Sequence, residues 1–184
     1  IRLSLVGSEM CIRDSWSTPS RPENGGLQRR PCRPRNPHRK VRAVLPSRIL
    51  ALWATPRSRS TAFARMMAAR GDFATLHEPF QQCAYFSRER RFERYEPDSE
   101  AMGYAEVLAT LVAAARRRPL FIKDHAYYVE HLATPEFLSH FENTFLIRHP
   151  REALPSYHRH WPDVTLEETG YLEQAALFDA VVRN

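Results

Sequence analysis

The chain has 184 residues, 43% of them hydrophobic, with 27 Lys and Arg against 21 Asp and Glu for a formal net charge of +6. That length supports one domain with a core and excludes both a peptide and a large multidomain assembly. The charge is unevenly spread. Residues 1–48 hold 11 basic and 3 acidic residues, a net of +8, and the rest of the chain holds 16 basic and 18 acidic residues, a net of −2. The excess that would suggest a nucleic-acid partner therefore belongs to one end, and no nucleic acid is expected for the remainder.

Residues 1–48 also carry 6 of the 14 prolines and show no apolar periodicity able to bury a face. They read as a disordered or artefactual basic leader. Leu5 to Ser15 resembles a translated transposon adapter from sequencing libraries, through the run Met10-Cys11-Ile12-Arg13-Asp14-Ser15, and such scars stand outside fold reasoning. A genuine basic tail is the competing reading. No segment approaches the ~20 apolar residues of a membrane helix, and the first fifteen lack a signal peptide's pattern, so no membrane is expected and the expected address is cytoplasmic. Beyond the leader Cys83 is the one cysteine, which leaves neither a disulfide framework nor a Cys/His metal cluster.

From Ile49 onward strands and helices alternate. Ile49 to Trp53 is a continuous apolar run, as expected of a parallel strand covered on both faces. Ser60 to Arg70 follows as a helix with Ala62, Phe63, Met66 and Met67 at helical spacing, Ser60 as cap and Gly71 as stop. Phe73 to Leu76 is a short second strand, and Gln81 to Glu100 reads as a surface excursion. Tyr104 to Arg117 is a second long helix, ended by Pro119, and Leu120 to Ile122 a third strand. Thr134-Pro135 caps a short helix over Glu136 to Phe141. Thr144 to Ile147 is the fourth strand, and Pro150 opens a helix to about His158. Thr165 to Glu168 matches a capping box, and the helix it starts, with Leu172, Ala175, Ala176, Phe178, Val181 and Val182, continues to Asn184. These elements predict a three-layer α/β domain over 49–184 with a mostly parallel sheet and ligands at the carboxyl ends of its strands. The domain is expected to be incomplete at its C-terminus.

Two clusters point to anion binding. Thr55-Pro56-Arg57-Ser58-Arg59-Ser60-Thr61 lies between a buried strand and a helix. Free backbone N–H groups, the helix dipole, the hydroxyls of Ser58, Ser60 and Thr61, and the charge of Arg57 converge there. The loop lacks the G-x-x-x-x-G-K-[ST] pattern; an ordinary turn capped by Ser60 is the alternative. The second cluster pairs Arg148, at the end of the fourth strand, with Ser156, about two turns into the next helix.

Together the clusters resemble the sulfotransferase family. Pro56 to Thr61 is similar to its 5′-phosphosulfate loop, with Arg59 at the usual glycine and Arg57 where many members have lysine. Arg148, Pro150 and Ser156 are similar to its 3′-phosphate motif. The resemblance, over Ile49 to about His160, implies a P-loop-like nucleotide-binding topology. It also implies transfer of a sulfuryl group from 3′-phosphoadenylyl sulfate, without a metal, to a hydroxyl or amine of a small-molecule or carbohydrate acceptor. Arg57, Ser58, Arg59, Ser60, Thr61, Arg148 and Ser156 would hold the nucleotide. Ile122-Lys123-Asp124-His125 is similar to the family's Lys-Thr-His, and His77-Glu78-Pro79-Phe80 to the glutamate segment of carbohydrate-modifying members. This makes His125 or Glu78 the general base, His125 being the preferred one, with Lys123 supporting the transferred group and Arg57 stabilising the bridging oxygen. Tyr85, Phe86, Phe92, Tyr95, Tyr127 and Tyr128 are candidates for an acceptor pocket or for core packing, and Arg88 to Arg94 for attracting an anionic acceptor or for a solvated face. A P-loop phosphotransferase and a noncatalytic nucleotide-binding domain are the rival readings.

Overall fold

The computed structural model describes residues 48–184, and the basic leader with its adapter-like run lies outside the described residues. Four parallel strands form one sheet in the order β2-β3-β1-β4: β1 (Ile49–Ala54), β2 (Ala74–His77), β3 (Leu120–Asp124) and β4 (Glu142–Leu146). The expected α/β class holds, and this strand order is consistent with a P-loop-like topology. Strands β1 and β3 are central, which explains why both read as unbroken apolar runs: each face of each strand is covered. On one face Leu52 and Phe121 meet Ala64 and Met67 of α1 (Ser60–Arg70). On the other, Ile49, Ala51, Trp53, Leu120 and Ile122 join a larger core with α3 (Tyr104–Ala115) and with Leu177 of α7 (Tyr171–Arg183). Among the described residues no helix is long and apolar enough to cross a membrane.

Several local expectations change. Helix α1 buries Ser60, Ala64 and Met67 and leaves Phe63 and Met66 partly exposed, with the Phe63 ring still tilted against Phe121 of the sheet at 6.0 Å between centroids. Gln81 to Glu100 is a surface excursion only in its second half: α2 (Gln81–Tyr85) and the loop to Phe92 bury Cys83, Ala84, Tyr85, Ser87 and Phe92, while Glu93 to Glu100 is exposed apart from the half-buried Arg94. The capping box is formed, since Thr165 N donates to Glu168 Oε2 at 3.0 Å and Glu168 N to Thr165 Oγ1 at 3.2 Å. It opens only a 3-10 turn, however, because Gly170 adopts a left-handed φ of 71° and α7 begins one residue later. That offset turns α7, so Gln174 and Leu177 are buried while Leu172 and Phe178, expected on its inner face, are exposed.

The short helix behaves as its cap predicts. Thr134 Oγ1 accepts from Phe137 N at 3.2 Å and α5 (Pro135–Ser139) follows. Helix α4 (Ala126–Val129), directly after β3, is an element the sequence pattern did not announce. Helix α6 (Pro150–His158) starts at its proline as expected, while β4 ends at Leu146 and leaves Ile147 exposed.

Candidate active site

Strand register brings the candidate residues to one edge of the sheet. Trp53 pairs with Asp124 and Ala54 with Leu146, so the loops after β1, β3 and β4 leave side by side, with the loop after β2 next to them. The β1–α1 loop is tightly wound. Arg57 and Arg59 both take left-handed backbone conformations, with φ of 59° and 67°, a region that costs a non-glycine residue about 1–2 kcal/mol. Arg59, at the position where the resemblance has glycine, therefore keeps a glycine-like backbone. It is also the N-cap of α1, with no side-chain capping bond, so the expected Ser60 cap is not formed: Ser60 is already the first helical residue. The N–H groups of Ser58 and Arg59 have no backbone acceptor among the described residues. Ser58 Oγ is buried there without a hydrogen-bond partner. Donors gathered at a helix N-terminus suit an anion.

The two anion motifs interlock. Arg57 Nε donates to Ser156 Oγ at 3.1 Å, and Arg148 Nη1 donates to the Arg57 carbonyl at 3.3 Å. Arg148 is oriented further by Glu152, whose Oε2 accepts from its Nε at 2.9 Å, and its own carbonyl accepts from the Tyr171 hydroxyl at 2.7 Å. Arg148 and Ser156 thus both lie against the β1–α1 loop, each through Arg57.

Glu78, Lys123 and His125 form a second cluster next to the loop. Lys123 Nζ is in close ion-paired contact with Glu78 Oε1 and donates to His125 Nε2 at 3.1 Å. His125 Nε2 lies 3.2 Å from Glu78 Oε1. On the other side of the ring, Nδ1 donates to the Ala54 carbonyl at 2.6 Å, which fixes the proton of the neutral ring on Nδ1 and leaves Nε2 the basic nitrogen. Burial pushes the Glu78 carboxyl up, but the charges of Lys123 and His125 outweigh it and hold Glu78 well below the usual carboxylate range. Glu78 is itself left-handed, with φ of 49°. Lys123 is buried and committed to these two partners.

Asp124, which sequence reasoning passed over, lies between the members of this cluster in the chain. It is fully buried, accepting from Phe80 N at 2.9 Å and from His125 N at 2.8 Å. Only its position at the end of an apolar strand, between two candidate residues, could have singled it out.

The aromatic candidates separate. Tyr85, Phe92, Tyr127 and Tyr128 are buried and packed edge to face or tilted on one another, with Tyr127 stacked under His125 at 5.4 Å between ring centroids. They are core that supports the base cluster. Phe86 and Tyr95 stack on each other at its edge, Phe86 partly buried against it and the exposed Tyr95 edge to face with Tyr85. The arginine run is partly spent on structure: Arg94 makes a two-bond fork to the buried Glu168, with Nε–Oε1 at 2.8 Å and Nη2–Oε2 at 2.7 Å, and also reaches Asp163. Arg91 pairs with Glu167 at 2.9 Å. Among the described residues no group of three His, Cys, Asp or Glu side chains is placed to hold a metal ion.

In a parallel α/β sheet, the carboxyl ends of the strands, where the β1–α1 loop, the Arg148–Ser156 pair and the Glu78, Lys123 and His125 cluster gather, are the usual place for a ligand. The family model for the sulfotransferase domain matches residues 47–183. The chain belongs to the sulfotransferase family and is a transferase. No curated protein and no solved structure matches it significantly.

Proposed function

We propose that the protein transfers a sulfuryl group from 3′-phosphoadenylyl sulfate to a hydroxyl or amine of a small-molecule or carbohydrate acceptor. The observation that carries this reading is the hydrogen bond from His125 Nδ1 to the Ala54 carbonyl. It ties the candidate base to the residue from which the anion loop departs, so proton removal and charge neutralisation fall at adjoining strand ends.

The loop suits an anionic donor: the buried, partnerless Ser58 Oγ and the free amides beside it are hydrogen-bond donors that lack acceptors. Arg57, Ser58, Arg59, Ser60 and Thr61 would hold the 5′-phosphosulfate, and Arg148 and Ser156 the 3′-phosphate. When bound, the donor supplies the sulfuryl group for in-line attack. Once Lys123 Nζ turns from Nε2 to Glu78 alone, His125 takes the acceptor proton at Nε2, and the imidazolium so formed faces the ionised Glu78 at 3.2 Å, which stabilises it. Lys123 keeps Glu78 ionised and so acts through the pair. Arg57 neutralises charge developing on the leaving phosphate without transferring a proton.

Titration of the purified protein with adenosine 3′,5′-bisphosphate and with ATP plus magnesium, followed by sulfuryl transfer to a panel of hydroxyl and amine acceptors, tests the reading. The expected result is tighter binding of the bisphosphate and turnover of at least one acceptor. A preference for ATP with magnesium would make the protein a phosphotransferase, and bisphosphate binding without turnover a noncatalytic nucleotide-binding domain.

A further inference from the structure

We propose that Asp124 is a positioning residue of the transfer reaction, setting Glu78 and His125 to the separation at which they share Lys123. The inference rests on the reading of His125 as base.

Each oxygen of the carboxylate holds one limb of the site. Oδ2 accepts from Phe80 N, two residues after Glu78, and Oδ1 accepts from His125 N. The two amides come from different loops, one leaving β2 and the other β3, and Asp124 bridges them. No cation pairs with Asp124 among the described residues, and its two oxygens answer two buried backbone amides. An apolar side chain would leave both N–H groups without an acceptor, which is costly.

The need for a fixed bridge is visible at Glu78. This non-glycine residue has a left-handed backbone, a conformation that persists only when its surroundings over-determine it. Three hydrogen bonds do so: Glu78 N to the Lys123 carbonyl at 2.7 Å, Gln81 N to the Glu78 carbonyl at 3.1 Å, and Phe80 N to Asp124. Loss of the last lets the turn relax and carries the Glu78 carboxylate away from His125 Nε2. Both oxygens of Asp124 accept amide hydrogens, while burial and the charge of Glu78 push its carboxyl up to about 8, so the bridge is made by acceptor oxygens and not by a charge.

Asp124→Asn tests the inference, since asparagine has the same shape, no charge and one acceptor oxygen. Asp124→Ser, which also keeps one acceptor, is the second variant. The expected result is a fall in kcat of about 100-fold, the cost of a misplacement near 1 Å, with the dissociation constant for adenosine 3′,5′-bisphosphate unchanged within about two-fold, because the anion loop does not touch Asp124. In a His125→Ala background the same substitution should lower the residual rate by less than about three-fold. Equal losses in both backgrounds, or loss of bisphosphate binding in step with kcat, would overturn the positioning role. A readout independent of turnover is the NMR chemical shift of the His125 ring at fixed pH, assigned with His125→Ala. Asp124→Asn should move that signal as Glu78 withdraws from Nε2, and an unmoved signal rejects the inference even if sulfuryl transfer is absent. Absence of transfer in the wild type with a moved signal would instead count against the transfer reading alone.

Discussion

Arg57 and Ser156 stand 99 positions apart and meet at 3.1 Å, the guanidinium Nε donating to the serine hydroxyl. The bond joins the loop after β1 to the helix after β4, the two segments that the proposed donor would touch. It also presets Arg57, whose backbone is left-handed and whose side chain would otherwise sample many rotamers.

Ser156→Ala is therefore expected to weaken adenosine 3′,5′-bisphosphate binding by about ten-fold, the worth of a hydrogen bond to a charged group at ~1.5 kcal/mol. Calorimetric titration measures it. Unchanged affinity would show that the Arg57–Ser156 contact is incidental to the donor site.

Arg59→Gly separates strain from function at the loop. Glycine relieves the left-handed penalty at a φ of 67°, partly offset by its larger unfolded-state entropy, for a net gain of up to about 1 kcal/mol. Bisphosphate binding should weaken and become less sensitive to salt as an exposed charge is lost. Urea unfolding that shows the variant to be less stable would mean that the Arg59 side chain makes a contact the fold needs.

His125→Ala should lower kcat by about 100-fold or more, the usual share of a general base. Glu78→Gln should lower it less, since the glutamine can no longer stabilise the imidazolium but leaves Nε2 in place. A larger loss at Glu78 than at His125, in single-turnover measurements, would transfer the role of base to Glu78. Glu78 also has a signature in stability. Its folded carboxyl is held well below its ordinary value of 4.5, so its contribution is present above 4.5 and is lost as the pH falls through the lowered value. Glu78→Gln should remove that part of the acid destabilisation.

Asp124 acts in the opposite sense. Its folded carboxyl, raised from 3.8 to about 8, is favoured in the protonated form, so its contribution is complete below 3.8 and declines as the pH rises toward and through about 8. Thermal melts between these limits should fall with rising pH in the wild type, and Asp124→Asn should flatten the slope. Glu78, Lys123, Cys83, Tyr104 and Tyr128 share an electrostatic interaction with this carboxyl, so the slope is read as a difference between variant and wild type. Identical slopes would show that Asp124 titrates like an ordinary aspartate.

Arg94→Ala should cost about 3 kcal/mol, because it strands the buried Glu168 with only the Tyr85 hydroxyl and Thr165 N as donors. Glu168→Gln together with Arg94→Ala should recover part of the loss, as the stranded charge is gone. Denaturant unfolding of the two variants decides it; no recovery would place the cost in lost packing of the arginine stem.

The parts of this protein written in short stretches of sequence were readable there. The unbroken run Ile49 to Trp53 announced a covered parallel strand, and Thr134-Pro135 and Thr165 to Glu168 announced their caps, because strand burial and capping depend on neighbours within a few residues. The loop from Pro56 to Thr61 and the pair Arg148 and Ser156 carried the family resemblance for the same reason. Tertiary structure decided what depends on residues far apart. Helix α7 buries Gln174 and Leu177 rather than its bulkier stripe because Gly170 turns the chain before the helix begins. Tyr85, Phe92, Tyr127 and Tyr128 became core because helices from separate segments pack over one face of the sheet. Asp124 became a bridge because β2 and β3 end side by side in register, with His77 beside Lys123. Hydrogen bonds between loops depend on that register, which sequence spacing does not encode, and so the candidate residues at the strand ends were legible while the contacts among them were not.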